Sequence, residues 1–312
     1  MIVAVLALVG GLALLVVAAD VFVTGAEAFA LRRGWSQAVI GAVVVGFGTS
    51  LPEMVTSAVA SGRGQADLAL GNAVGSNLAN LLLVLGIAAV VAPLAGTRTQ
   101  APRRDALLAG VAGLVLLGAV ANGRLGLVEG VVLVVALVAV LGWQVASADS
   151  GGSTPMAAVA VRAVEWRILG GLVGVLAGAQ LLVAGATAVA ERFGVPELVI
   201  GTVLVAVGTS LPELATAIAS ARRGQVELLL GNLLGSNVFN ALAVVGLAVI
   251  VAVVRGDAFP VSGPALAVVA ASTVVTLAVG LALVRRPAVT RTAGVLLVAL
   301  HVASVPVLLA IS

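Results

Sequence analysis

Apolar residues run through this chain in long blocks, and the breaks between blocks fall at clusters of Arg, Gly, Pro and acidic residues. A helix needs about 20 apolar residues to cross a bilayer. Cutting the chain at those clusters predicts ten spanning helices, at 2–30, 36–61, 66–92, 103–121, 125–146, 163–191, 196–221, 225–254, 262–284 and 290–310. The first, third, sixth and eighth are long enough to be tilted or bent. The stretch Ala-Ser-Ala-Asp-Ser-Gly-Gly-Ser-Thr-Pro from Ala146 to Pro155 reads as a connection. The expected organisation is therefore a five-helix unit over 1–145, a linker over 146–162 and a second five-helix unit over 163–312.

The polar positions inside the blocks are not scattered. Gly48-Thr49-Ser50-Leu51-Pro52-Glu53 returns as Gly208-Thr209-Ser210-Leu211-Pro212-Glu213, and Gly71-Asn72, Gly75-Ser76-Asn77 and Asn80 return as Gly231-Asn232, Gly235-Ser236-Asn237 and Asn240. The offset is 160 residues throughout, and 41–80 agrees with 201–240 at 21 of 40 positions. Most matches are Gly, Pro or residues that carry side-chain oxygen. Upstream, the segment from Asp20 to Ala26 aligns at the same offset with that from Gln180 to Ala186, so the first span belongs to the repeat. It also lacks the basic start of a signal peptide and is expected to be retained.

Because each unit has five spans, the second enters the membrane from the opposite face. Arginine distribution fixes the orientation. Arg32, Arg33, Arg98, Arg103, Arg104, Arg162, Arg167, Arg222, Arg223, Arg285, Arg286 and Arg291 lie in one set of loops, and only Arg63, Arg124, Arg192 and Arg255 in the other. Twelve against four puts the first set in the cytoplasm and both termini outside, extracellular or periplasmic. The fold class expected is an all-α, multi-pass protein of the cell membrane, with ten helices in two inverted five-helix repeats.

Composition agrees. The chain is 62% hydrophobic and 9% charged, with a mean hydropathy of +1.26. The absence of Cys excludes disulfides and thiolate metal sites. The net charge of +3 comes from dispersed arginines, with no basic stripe, so nucleic-acid binding is not expected.

The repeated residues carry the candidate chemistry. Gly46, Gly48 and Pro52 interrupt the second span, and Pro52 is expected to free the carbonyl of Gly48. Thr49 and Glu53 share a helix face, with Ser50 adjacent; Thr209, Ser210 and Glu213 repeat the set around Pro212. Asn72, Ser76 and Asn80 form one polar stripe at i, i+4 and i+8, and Asn232, Ser236 and Asn240 form another. Carboxylates, hydroxyls and amides are hard oxygen ligands that suit Ca²⁺ or Na⁺. Two ionised carboxylates would match one Ca²⁺. Ser and Thr in membrane helices often serve packing alone, and Asn72, Asn77, Asn232 and Asn237 divide evenly between helix bonding and ligation. Glu53 and Glu213 are different, because acids inside a bilayer are expensive and mark function. Asp20 and Glu27 align with Gln180 and Thr187 and are expected to be accessory. Glu129, Glu197, Asp67 and Glu227 sit at helix ends, and His301 is expected to pack.

Gly-Thr-Ser-Leu-Pro-Glu followed by Gly-Asn-x-x-Gly-Ser-Asn-x-x-Asn, present twice, resembles the α-repeats of the cation/Ca²⁺ exchanger superfamily, and most of all its prokaryotic Na⁺/Ca²⁺ exchangers. The resemblance covers the whole chain in span count and inversion, and about 80 residues in motif detail. It implies a secondary-active antiporter, not an enzyme, that exchanges three Na⁺ for one Ca²⁺ by alternating access and so moves charge. It implies that Glu53, Glu213, Thr49 and Thr209 hold Ca²⁺. Ser50, Ser76, Ser210 and Ser236 would complete Na⁺ sites with the carbonyls of Gly46 and Ala206, and the first and sixth helices would slide across the core. Asn80 and Asn240 occupy positions where some relatives place Asp, which implies less need for K⁺ and leaves the stoichiometry open. The substrates implied are Ca²⁺ and Na⁺, with no enzymatic cofactor and no obligatory protein partner besides the bilayer.

The alternative on the same scaffold is a Ca²⁺/H⁺ or other divalent cation/H⁺ antiporter, with Glu53 and Glu213 cycling protons. The hydroxyl pairs beside each carboxylate favour Na⁺. A channel is disfavoured by the inverted repeat and broken helices, and a hydrolase by the lack of a G-x-S-x-G elbow.

Overall fold

A computed structural model describes residues 2–94, 101–146, 164–193, 206–285 and 288–311. They form helices almost throughout. In order these are α1 (Ile2–Arg33), α2 (Gln37–Thr49), α3 (Leu51–Ser61), α4 (Ala66–Val91), α5 (Ala101–Val120), α6 (Leu127–Ala146), α7 (Val164–Arg192), α8 (Ala206–Thr209), α9 (Leu211–Arg222), α10 (Val226–Val254), α11 (Gly263–Arg285) and α12 (Arg291–Ile311). Among the described residues six helices are long and apolar enough to cross a membrane. A seventh span is the pair α2 and α3, bent by 43°. The expected fourth span overlaps α5, a 20-residue helix whose first turns carry Arg103, Arg104 and Asp105 and which is not one of those six. Of the expected linker 146–162, Ala146 ends α6 and residues 147–162, like the first part of the seventh expected span, lie outside the described residues.

Burial sorts the helices into a centre and a rim. In α4 and α10 the most apolar stretches are 67% and 72% buried, against 22% in α1. The rim helices turn Leu6, Val9, Val16, Val128, Val135 and Val173 outward. A face of branched aliphatic side chains turned outward over this length suits lipid and not water.

Two rim helices, α1 and α7, pack backbone to backbone in opposite directions. Leu8 meets Gly185, Leu15 meets Gly178 and Phe22 meets Gly171; a Cβ on Gly178 would fall 2.6 Å from the Leu15 nitrogen. In lipid, small residues allow the close approach that replaces a hydrophobic driving force. Ion pairs tie α1 to two neighbours, α7 at one end of α1 and α9 near the middle of α1. Arg32 reaches Glu165 at 3.2 Å, and Arg223, just past α9, reaches Asp20 at 2.6 Å. The residues at the repeat offset are Arg192 with Val5, and Arg63 with Gln180, so neither ion pair has a counterpart in the other half.

In the centre, α2 and α10 run in the same direction. Ala38 lies against Gly231, Ala42 against Gly235 and Gly46 against Ser236. The turns into α4 and α10 are made alike, with Gly64 and Gly224 at φ 75° and 69°, conformations that side chains disfavour. A two-residue antiparallel ladder, Arg124–Leu125 with Phe259–Pro260, joins the α5–α6 and α10–α11 connections.

Candidate functional site

The helix breaks that build the site fall at serine. Ser50 takes φ −82°, ψ 0° and Ser210 φ −89°, ψ 4°, between α2 and α3 and between α8 and α9. Pro52 and Pro212 are then in the first turn of the next helix, where the missing N–H has no partner to lose. Pro52 has no N–H to offer the Gly48 carbonyl, as expected, but that carbonyl is not left bare. Ser50 N–H reaches back to the carbonyls of Gly46, at 3.1 Å, and Gly48. The proline ring is compatible with the helix it opens and unwinds only the turn before it, so the break moves upstream. Glu53 and Glu213 enter the first turns of α3 and α9, where helix dipoles favour negative charge.

α4 and α10 supply the facing residues. Both contain a π-helical stretch, at Ala79–Val84 and Asn240–Val244, beginning beside Asn80 and at Asn240. A third, Gly41–Val45, precedes Gly46. Such wide turns add a residue to the ladder and frequently mark functional sites.

The structure brings the expected residues of both halves together. Thr49 Oγ1 lies 3.0 Å from the Val45 carbonyl, 3.3 Å from Asn232 Oδ1 and 3.4 Å from Ser236 Oγ, and Ser236 Oγ lies 3.4 Å from the Gly46 carbonyl. These are five oxygens with only two hydroxyl protons among them, a cluster rich in acceptors. Across from it, Glu53 Oε1 accepts from Ser76 at 3.3 Å, and Thr209 approaches Glu53. Thr49 approaches Glu213 without closing a bond, and the two glutamates feel each other's charge.

Several oxygens at this crossing are buried without any partner: Ser50 Oγ, Glu53 Oε2, Asn80 Oδ1, Ser210 Oγ, Asn240 Oδ1 and both carboxylate oxygens of Glu213. Glu53 and Glu213 are 0% and 1% exposed. An unpartnered buried polar atom costs about 1–3 kcal/mol, and more when charged. Acceptors from both halves left in this condition at one place describe a cradle for cations. Among the described residues no group of three His, Cys, Asp or Glu side chains could hold a metal. The donor set is thus the hard, mostly neutral one of alkali and alkaline-earth ions.

Other expected residues have different roles. Asn72 donates to the Glu53 carbonyl at 3.3 Å and to Ser57 at 2.9 Å, and Asn232 donates to Thr216 at 3.0 Å. Thr216 in turn bonds the carbonyls of Pro212 and Glu213. These amides anchor the turns that carry the glutamates. Ala206 opens α8 as Gly46 opens the last turn of α2. Asp20 is exposed in its ion pair with Arg223, Glu129 accepts from the Gly126 N–H, and Asp67 accepts from the Ser262 N–H. His301 is partly buried in α12, and Glu197 lies outside the described residues.

The sequence reading left out Ser57 and Thr216, and for Asn77 and Asn237 it left helix bonding and ligation evenly open; the structure shows the first. Asn77 and Asn237 bond one another across the centre, at 3.4 and 3.3 Å. Their recurrence at the repeat offset was the available signal.

A family model described as sodium/calcium exchanger protein matches residues 3–146 and 165–310. The putative antiporter CaxA of Alkalimonas amylolytica is 39% identical over 266 residues, 81% of this chain and 82% of its own. The sodium/calcium exchanger MaX1 of Methanosarcina acetivorans is 29% identical over 283 residues, 76% and 80% of the two chains. Among solved structures, the sodium-calcium exchanger NCX_Mj soaked with Na⁺ and Sr²⁺ superposes with a TM-score of 0.85 at 30% identity, covering 98% of each chain.

Proposed function

Because the chain belongs to the sodium/calcium exchanger protein family, we propose that it is a secondary-active antiporter exchanging Na⁺ for Ca²⁺ across the cell membrane by alternating access. In this reading ten helices form two inverted repeats, 1–145 and 163–312, about the linker 146–162, with both termini outside. Support comes from the opposite directions of the equivalent helices α1 and α7 and the shared direction of α2 and α10. The two separate stretches matched by the family model point the same way. Inverted repeats place substrates near the membrane midplane, between broken helices.

One observation carries the reading: unpartnered buried oxygens from both halves converge at the two serine breaks. Glu53 and Glu213 with Thr49 and Thr209 take Ca²⁺. Ser50, Ser76, Ser210 and Ser236, the amide oxygens of Asn80 and Asn240 and the carbonyls of Gly46 and Ala206 take Na⁺. Two carboxylates neutralise one Ca²⁺. A 3:1 exchange moves one net charge, about 2.3 kcal/mol per 100 mV.

A second reading, divalent cation/H⁺ antiport, is favoured by the bare carboxylate oxygens of Glu213, which protons would satisfy equally. Uptake of ⁴⁵Ca²⁺ into proteoliposomes separates the two. The expected result is uptake that requires internal Na⁺ and is lost in Glu53→Gln and Glu213→Gln. Uptake that follows a pH gradient and ignores Na⁺ overturns the sodium reading.

A further inference from the structure

Four asparagines meet where α4 and α10 cross: Asn77, Asn80, Asn237 and Asn240. Asn77 and Asn237 stand at the repeat offset and bond reciprocally, each Nδ2 donating to the other's backbone carbonyl at 3.4 and 3.3 Å. A residue bonded in this way to its own repeat equivalent lies on the axis relating the halves. Asn80 Nδ2 then donates to Asn237 Oδ1 at 3.1 Å. The equivalent bond in the other half would run from Asn240 Nδ2 to Asn77 Oδ1. It is not made, and both of those atoms are buried without a partner. All four residues are at most 5% exposed. The residues at both positions are asparagine, so the difference lies in conformation and not in side-chain chemistry.

An inverted-repeat carrier reaches its second access state by exchanging the conformations of its halves. On that basis, which rests on the alternating-access reading above, we infer that the four amides form a two-position switch. Asn77 and Asn237 act as positioning residues that clamp one ligand amide at a time. In the state described here Asn237 holds Asn80. In the opposite state Asn77 holds Asn240, and Asn80 is released. Fixing Nδ2 fixes the direction of Oδ1 on the same amide, so the clamp decides which half presents a tethered ligand and which an untethered one.

The test uses the full chain in proteoliposomes, with the apparent KM for Ca²⁺ measured from each face. Asn77→Leu removes the acceptor used only in the opposite state, and Asn237→Leu removes the acceptor used only in this one. Each variant also loses its Nδ2 bond to the other asparagine's carbonyl, which the two states share and which cancels in their ratio. The net difference between states is one neutral hydrogen bond, worth a population shift of about two- to tenfold. A shift in the competent population changes apparent affinity by the same factor. The ratio of the two KM values should therefore move by about two- to tenfold in opposite directions in the two variants, and return toward wild type in the double variant. Where a leucine variant does not fold, Asn77→Ala and Asn237→Ala carry the same signs.

Asn77 also borders a cavity of about 10 Å³ beside Ser272, Thr273 and Thr276, about the space of one water. If such a water is the real partner of Asn77, both variants shift the ratio in the same direction or neither shifts it. Either result, with Na⁺-driven flux intact in the unmutated chain, overturns the switch alone. Absence of Na⁺-driven Ca²⁺ flux in the unmutated chain overturns the antiport reading, and the switch with it.

Discussion

Gly235→Ala should disable the site while leaving the protein folded. A Cβ at Gly235 would stand 2.5 Å from Ala42 Cα and 2.6 Å from the Ala42 carbonyl oxygen. Carbon atoms rest about 3.5–4.0 Å apart, so α2 and α10 must separate by about 1 Å. The contacts carried on that same face are already long: 3.3 Å for Thr49 to Asn232, 3.4 Å for Thr49 to Ser236 and 3.4 Å for Ser236 to the Gly46 carbonyl. Another ångström puts all three beyond hydrogen-bonding distance. Overpacking of this kind costs about 1–3 kcal/mol, within the 5–15 kcal/mol or so of a typical fold. Losing the equivalent of one or two of the three contacts lowers apparent Ca²⁺ affinity by about tenfold or more. The assay is ⁴⁵Ca²⁺ uptake against external Ca²⁺, alongside gel filtration and melting of the same preparation. A monodisperse variant with wild-type melting and unchanged Ca²⁺ affinity would refute the claim that this backbone contact sets the oxygen cluster.

Gly231→Ala should act in the same sense, because its Cβ would collide with the Ala38 carbonyl; flux equal to wild type counts against it. At −100 mV, a 3:1 exchange should sustain a Ca²⁺ gradient about fiftyfold larger than at 0 mV, since one net charge is worth about 2.3 kcal/mol there; a gradient indifferent to a K⁺-valinomycin potential rejects that stoichiometry. For the half-exposed Asp20–Arg223 pair, a cycle through Asp20→Asn and Arg223→Gln should return a coupling of about 0.2–1 kcal/mol in thermal stability, weakening with salt; strictly additive effects would show the pair is incidental. Thr216→Val should cost about 1–3 kcal/mol by stripping Asn232 of its acceptor, a role that Thr216→Ser should keep; equal melting of both variants would contradict that role.

The blocks of apolar residues gave the helices, because a bilayer leaves the backbone few other choices. The offset repeat gave Thr49, Ser50, Glu53, Ser76, Asn80 and their partners, because polar residues kept twice in apolar surroundings stand out. What stayed hidden depends on departures from regular geometry. The stripe through Asn72, Ser76 and Asn80 assumes an even helical period, but the π turn beside Asn80 and the one at Asn240 disturb it. Asn77, off the stripe on an ideal helix, proves central because it bonds across to Asn237. The break at Ser50 in place of Pro52 follows from where a proline ring fits, upstream neighbours included. The tie between Asn232 and Thr216 joins separate helices, and no local pattern in the chain encodes it.

The bare oxygens of Glu53 and Glu213 bear on leakage. A carrier that reorients without cargo lets its two ion flows come apart, and the gradient it serves runs down. Here such a passage would carry two buried, neighbouring carboxylates with, among the described residues, no arginine bonded to them. Charges in that condition are costly enough to make the unloaded passage rare. In the sodium-coupled reading, tight coupling then needs no separate gatekeeper, because the burial that leaves these oxygens unpartnered also penalises an empty passage.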